Sequence, residues 1–280
     1  MNYEVLKVSP MPGALGAVIH GLDLSRPLEE QAIAEIKHAF LDYQLLVFRE
    51  QKITVDQQVA FSRVFGELLP HPFYGAIDGH EGVTRILKEP HHKVNNGGGW
   101  HADGTYMDPP PLGASLYLID VPQRGGDTLF SNMYAAYDAL SPKMKTLVEK
   151  LTAYHSSAIV YGSQGVYARS GDQTAATVAT DQAIKRTEHP VVRIHPVTGR
   201  KSIFVNRANV EAIEGLSPEE SSWMLEFLYQ HCIRGEFVTR LRWEKNTVAI
   251  WDNRCTLHYA LNDYHGFRRE GLRVAIKSAH

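Results

Sequence analysis

Apolar residues recur along this chain of 280 residues with two different periods. Ile33, Ile36, Phe40 and Tyr43 return every three to four positions, the spacing of one helical face, and predict a helix after Leu24-Ser25-Arg26-Pro27. Leu45-Leu46-Val47-Phe48 is a short unbroken apolar run, the pattern of a buried strand. Thr54 and Gln57 then have the spacing of a capping box, in which hydroxyl and amide satisfy free backbone donors. The helix it opens is expected to present Val55, Val59, Phe61 or Ser62, and Phe65, and to stop at Gly66. Ser141-Pro142 ahead of Met144, Leu147, Val148 and Leu151 is a further start signal, as is Ser217-Pro218-Glu219-Glu220 ahead of Trp223, Met224, Phe227 and Leu228.

Between these helices the pattern shortens. Strands are expected at 113–119, 128–131, 191–194, 202–205, 238–243, 247–251 and 272–276, divided by turns rich in Gly, Pro, Asn and Asp. Many short strands with a few helices predict a mainly β fold, a two-sheet jelly roll with peripheral helices, as one domain over 1–280. The stretch 156–185 has little periodicity and is rich in Ser, Gly, Gln, Thr and Ala. Long irregular segments inside a compact domain tend to be functional, so this one is expected to be a lid over an active site.

Composition narrows the field by exclusion. Hydrophobic residues make up 44% of the chain, enough for a sizeable core. A formal net charge of −2 with dispersed basic residues offers no footprint for nucleic acid or an anionic membrane. Two cysteines, Cys232 and Cys255, give neither a disulfide framework nor zinc-ribbon spacing. With no basic, apolar leader and no 18-residue apolar stretch, a soluble, cytoplasmic protein is expected.

The most specific chemistry lies in His101-Ala102-Asp103 and a distant His258. Residues i and i+2 of an extended segment point to one face, so His101 and Asp103 can offer an imidazole nitrogen and a carboxylate oxygen to one ion. A second histidine from another strand completes a set of two His and one carboxylate, which leaves coordination positions open and suits non-haem Fe(II) oxygen chemistry. A zinc hydrolase fits less well, because no glutamate stands beside these residues as general base. A non-catalytic metal-binding sensor remains an alternative, which succinate formation in an assay excludes.

The neighbouring segments are Gly99-Trp100-His101-Ala102-Asp103, Gly125-Gly126-Asp127-Thr128-Leu129-Phe130 and Trp251-Asp252-Asn253-Arg254-Cys255-Thr256-Leu257-His258-Tyr259-Ala260. Together with Arg268-Arg269-Glu270-Gly271-Leu272-Arg273 they resemble the Fe(II)- and 2-oxoglutarate-dependent dioxygenases of the taurine dioxygenase type, a family that includes alkylsulfatases and aryloxyalkanoate dioxygenases. The resemblance implies a double-stranded β-helix, a cupin-like jelly roll, in which His101, Asp103 and His258 hold Fe(II), with 2-oxoglutarate and O2 as co-substrates. It puts the arginine that pairs with the distal carboxylate of 2-oxoglutarate at Arg269, assisted by Thr128. It puts the anionic head group of the substrate at His71, Tyr74 and Arg273. The family's substrate-side asparagine falls on Gly97, a departure that puts recognition of a taurine-like ammonium in doubt unless Asn95 or Asn96 reaches round. The implied enzyme is an oxidoreductase that hydroxylates a small organosulfonate or sulfate ester, or alternatively an aryloxyalkanoate or other carboxylate. The resemblance also implies a homo-oligomer, a dimer or tetramer.

Overall fold

In the computed structural model, which describes residues 3–170 and 185–279, the described residues form four sheets, of which a large, mostly antiparallel one and a three-stranded antiparallel one pack face to face. The large sheet has eight strands, in the order Lys7–Pro10, Ala17–His20, Leu45–Phe48, Thr247–Asp252, Gly113–Asp120, Arg269–Ile276, His80–Lys88 and Ala76–Ile77. Ala17–His20 and Leu45–Phe48 run parallel, and the other pairs are antiparallel. Opposite it lie Val238–Leu241, Thr128–Asn132 and Thr256–Ala260. This is the mainly β jelly roll expected from the strand pattern, with helices outside it.

The two-residue period of a strand explains how one sheet serves two cores. Leu45, Val47, Ala249 and Trp251 face inward and meet Phe130 and Leu241 of the small sheet. Their neighbours Leu46, Phe48, Val248 and Ile250 face the other way, onto Ile36 and Phe40 of helix Glu30–Tyr43 and Phe61 of helix Val55–Arg63. Thr54 and Gln57 form the full capping box, as do Ser217 and Glu220 at helix Pro218–Cys232. Helix Val55–Arg63 ends before Gly66; its buried residues are Gln58, Phe61 and Ser62, and Gln58 donates to the Leu272 carbonyl.

Two expectations about boundaries change. Arg269–Ile276 is longer than the apolar run at its end, beginning at a buried arginine. Ser156 closes the strand Thr152–Ser156, which pairs with Arg186–Pro190, so the stretch read as a lid starts inside a sheet. Short helices Ala158–Tyr161 and Val166–Ser170 follow. Residues 171–184 of that expected lid lie outside the described residues.

Candidate active site

His101 and His258 sit directly opposite each other in an isolated antiparallel bridge. Each donates its backbone N–H to the other's carbonyl, at 3.0 and 2.7 Å. Directly opposed residues project from the same face, so both imidazoles stand together, with ring centroids 4.1 Å apart. Phe130 and Trp251 pack on His258 at 5.9 and 4.9 Å between centroids. Asp103, two residues beyond His101, turns its carboxylate into the same space. His101 Nε2 lies 3.7 Å from Asp103 Oδ1, and His258 Nε2 lies 3.8 Å from Oδ2.

The hydrogen bonds decide which atoms face inward. His101 Nδ1 is 2.7 Å from the Gly99 carbonyl, which can only accept, so Nδ1 carries a proton and Nε2 is the nitrogen turned to the site. Burial, with His101 alongside, lowers His258 to a pKa of about 3, so it is neutral. Burial alone would raise Asp103, but the Arg273 guanidinium and the two imidazoles reverse that and hold it well below the usual carboxylate range. Two imidazoles and an ionised carboxylate, with ligand atoms all within 4.8 Å of one another, fit a divalent first-row ion.

The triad opens into a cavity of about 530 Å3, a size that holds a whole small ligand. His71, Tyr74, Gly97, His101, Asp103, Thr128, His258, Arg269 and Arg273 all line it. On strand Arg269–Ile276 the alternation puts Arg269, Gly271 and Arg273 on the cavity face. Arg268 turns outward, to carboxylates of Glu89, Asp120 and Glu270.

The two inward arginines differ. Arg269 is 5% exposed, and its Nε and Nη2 are buried without a hydrogen-bond partner. Burial lowers its pKa, yet a guanidinium keeps its charge. An unpaired buried cation is costly, so this end of the cavity is built for an anion. Gly126 lets the side chain pass, since a Cβ there would stand 3.3 Å from Arg269 Cδ. Beside it Thr128 Oγ1 accepts from Trp243 Nε1 at 2.8 Å, which leaves the hydroxyl hydrogen to donate.

Arg273 instead holds Asp103 Oδ2 at 2.9 Å. Near it, His71 Nδ1 accepts from the Phe73 backbone N–H at 3.1 Å, so its proton is on Nε2. Burial first, and then Arg273, lower His71 to about 3 and keep it neutral. Tyr161 from helix Ala158–Tyr161 stacks on Phe73 at 4.2 Å and 11°, and meets His71 and Tyr74 edge-on. The Asn95 amide nitrogen donates to the Ala260 and Leu261 carbonyls, and Asn95 and Asn96 both line the cavity.

Trp243, Tyr106 and Tyr161 line this cavity as well, and nothing in their local sequence marked them. Trp243 reaches Thr128 only because strand Val238–Leu241 pairs beside Thr128–Asn132.

A jelly roll with two imidazoles and a carboxylate at the mouth of a cation-lined cavity defines a non-haem, metal-dependent oxygenase. The chain belongs to the taurine catabolism dioxygenase TauD, TfdA family, whose model matches residues 7–275. It is 34% identical over 97% of its length to an alpha-ketoglutarate-dependent sulfate ester dioxygenase of Pseudomonas putida, covering 89% of that protein. It is 36% identical to an (S)-phenoxypropionate/alpha-ketoglutarate-dioxygenase of Sphingobium herbicidovorans, over 90% of this chain and 88% of that one. A solved structure of a putative alpha-ketoglutarate-dependent taurine dioxygenase from Burkholderia xenovorans superposes with a TM-score of 0.82 at 37% identity, covering 97% of this chain and 92% of that one. Among the described residues no helix is long and apolar enough to cross a membrane.

Proposed function

We propose that the protein is an Fe(II)- and 2-oxoglutarate-dependent dioxygenase that hydroxylates a small anionic organic substrate, a sulfonate or sulfate ester with an apolar body. The observation that carries this reading is the cavity face of strand Arg269–Ile276, where Arg269 and Arg273 stand four residues apart. At strand rise that is about 13 Å along the backbone, with the triad in the same cavity. One cationic end suits the distal carboxylate of 2-oxoglutarate and the other an anionic substrate.

In this reading His101, Asp103 and His258 hold the iron through Nε2, a carboxylate oxygen and Nε2. With 2-oxoglutarate and O2, iron in that position supplies the oxidising power to insert one oxygen atom into a substrate C–H bond, leaving succinate and CO2. Arg269 grips the distal carboxylate with its unpaired Nε and Nη2, and the Thr128 hydroxyl donates to the same group. His71 donates from Nε2 to the substrate head group beside Arg273 and Tyr74. Ile159, Val160 and Val166 give the outer cavity an apolar wall, and Trp100 and Tyr259 pair nearby at 5.9 Å. That wall suits an alkyl or aryl body, and Gly97 has no side-chain amide oxygen to accept from an ammonium. If the hydroxylated carbon bears a sulfate ester, the adduct sheds sulfate and becomes an aldehyde.

A second reading, hydroxylation of an aryloxyalkanoate, is favoured by the stacked Phe73 and Tyr161 rings and by the phenoxypropionate relative. The test is succinate release with Fe(II), 2-oxoglutarate and O2 across alkyl sulfates, alkanesulfonates, taurine and phenoxyalkanoates. Stimulation by alkyl sulfates or sulfonates above phenoxy acids supports the first reading. Stimulation by phenoxy acids alone establishes the second, and stimulation by none refutes both.

A further inference from the structure

Tyr106 lines the cavity, and the proposed chemistry leaves it without a task. It is 1% exposed, and its hydroxyl is buried with no hydrogen-bond partner. Leaving a hydroxyl desolvated and unpaired costs stability, so a protein that keeps one there has a use for it or has carried it idly. Its position argues for use. The ring is fixed edge-on against Phe73 and Tyr161, at 6.0 and 6.2 Å. A recess of about 10 Å3 beside the main cavity is lined by Tyr106 together with His71, Asp103 and Arg273. That is room for about one oxygen-sized group.

We propose that the Tyr106 hydroxyl is a specificity-determining donor for the substrate head group, and that it selects a three-oxygen sulfo group over a two-oxygen carboxylate. This rests on the reading of His71, Tyr74 and Arg273 as the head-group site. His71 offers Nε2–H, 3.5 Å from the Tyr161 hydroxyl, Arg273 its guanidinium and Tyr106 its O–H, and Tyr74 stands in the same site. The Asp103 carboxylate in the same recess is already taken by Arg273 and faces the two imidazoles. Acceptor directions at a carboxylate lie near its plane, so a guanidinium and one further donor serve it fully. A tetrahedral sulfo group aims its third oxygen out of that plane, where the buried, unpartnered Tyr106 hydroxyl adds a donor to those of His71, Tyr74 and Arg273. Tyr106 stays a phenol in this setting, because burial and the Asp103 charge raise its pKa. It therefore donates rather than repels.

The experiment compares wild type and Tyr106→Phe, each loaded with Mn(II) and 2-oxoglutarate under argon so that binding is read without turnover. Hexane-1-sulfonate and heptanoate, which share a six-carbon tail, are titrated by calorimetry, and the thermal midpoint of each free protein is recorded. Loss of one hydrogen bond to a charged group should weaken the sulfonate roughly ten-fold or more and the carboxylate far less. The midpoint of the free variant should hold or rise, since an orphaned hydroxyl has gone. Equal weakening of both anions reduces Tyr106 to a shape element and overturns the proposal, as does no change in either. A lower midpoint with unchanged sulfonate affinity overturns it too, by assigning the hydroxyl a partner inside the free protein. If wild type binds neither anion, the head-group reading falls first and takes this inference with it.

Discussion

Among the described residues two clusters place histidine and aspartate donors within 4.8 Å of one another, and one of them opens into the 530 Å3 cavity. In His195, Asp252 and Cys255 every donor is spent. His195 Nδ1 accepts from the Val197 and Thr198 backbone, so its Nε2–H goes to Asp252 at 3.1 Å. Arg254 takes the same carboxylate with Nη2 at 2.6 Å and Nε at 2.8 Å. Burial raises the Cys255 thiol well above its ordinary value, so it stays protonated. In His101, Asp103 and His258 both Nε2 atoms point at a carboxylate that they are too far away to hydrogen-bond. Residue type and spacing are thus shared. Each carboxylate has an arginine partner, so what separates a brace from a centre is whether neighbours have already filled the ring nitrogens.

Exchanging one member of each cluster is the strongest way to break that contrast. His258→Ala should abolish substrate-dependent succinate formation and the charge-transfer band of anaerobic protein with Fe(II) and 2-oxoglutarate, while leaving the jelly roll folded. A band that survives would remove His258 from the centre. Arg254→Ala should do the reverse. It strands the Asp252 charge in a buried site, at a cost of about 3–5 kcal/mol, readable as a lower urea midpoint. Mn(II) affinity measured below that midpoint should stay within about two-fold of wild type, and a large fall would show that the two clusters are not separate.

The brace and the centre were not equally legible. His101-x-Asp103 is local and so was legible, although only His101 is a bridge residue and Asp103 lies in the turn that follows, not in an extended strand. The helix starts at Thr54, Ser141 and Ser217 were legible for the same reason, each being a contact within three residues. His80–Lys88, Thr152–Ser156 and Val210–Ile213 escaped notice as strands, because charged and histidine residues interrupt their apolar alternation. Trp243 and Tyr161 escaped as cavity residues, since strand register and aromatic stacking bring them in from far along the chain. Tyr106 was hidden differently. Its ring could be read as ordinary core, and only the missing partner of its hydroxyl sets it apart.

The same contrast holds between the two inward arginines, at smaller scale. Arg269 is unpaired and Arg273 is held by Asp103, so their loss should separate the two ligands. Arg269→Ala should raise the KM for 2-oxoglutarate by an amount equivalent to about 2–4 kcal/mol, with the KM for the primary substrate changed far less. Equal effects on both would take Arg269 out of the co-substrate end.

The smallest effect concerns how closely the chain approaches the centre at Gly97. Its φ is +76°, and a Cβ there would stand 3.1 Å from His101 Cε1. The backbone cannot easily back away, because its carbonyl accepts from Ala260 and Gly99 N–H groups at 3.0 and 2.9 Å. Gly97→Ala should therefore combine left-handed strain of about 1 kcal/mol with pressure on the imidazole. Mn(II) affinity should drop by roughly five-fold with a small loss of stability. Gly97→Asn makes the same Cβ contact on a backbone that asparagine tolerates better, so its stability loss should be smaller. It also restores an amide on the substrate side. If the missing amide is what disfavours an ammonium, the ratio of kcat/KM for taurine over hexane-1-sulfonate should rise in Gly97→Asn and stay flat in Gly97→Ala. A flat ratio in both, with weakened Mn(II) binding, would confine Gly97 to keeping the chain clear of His101.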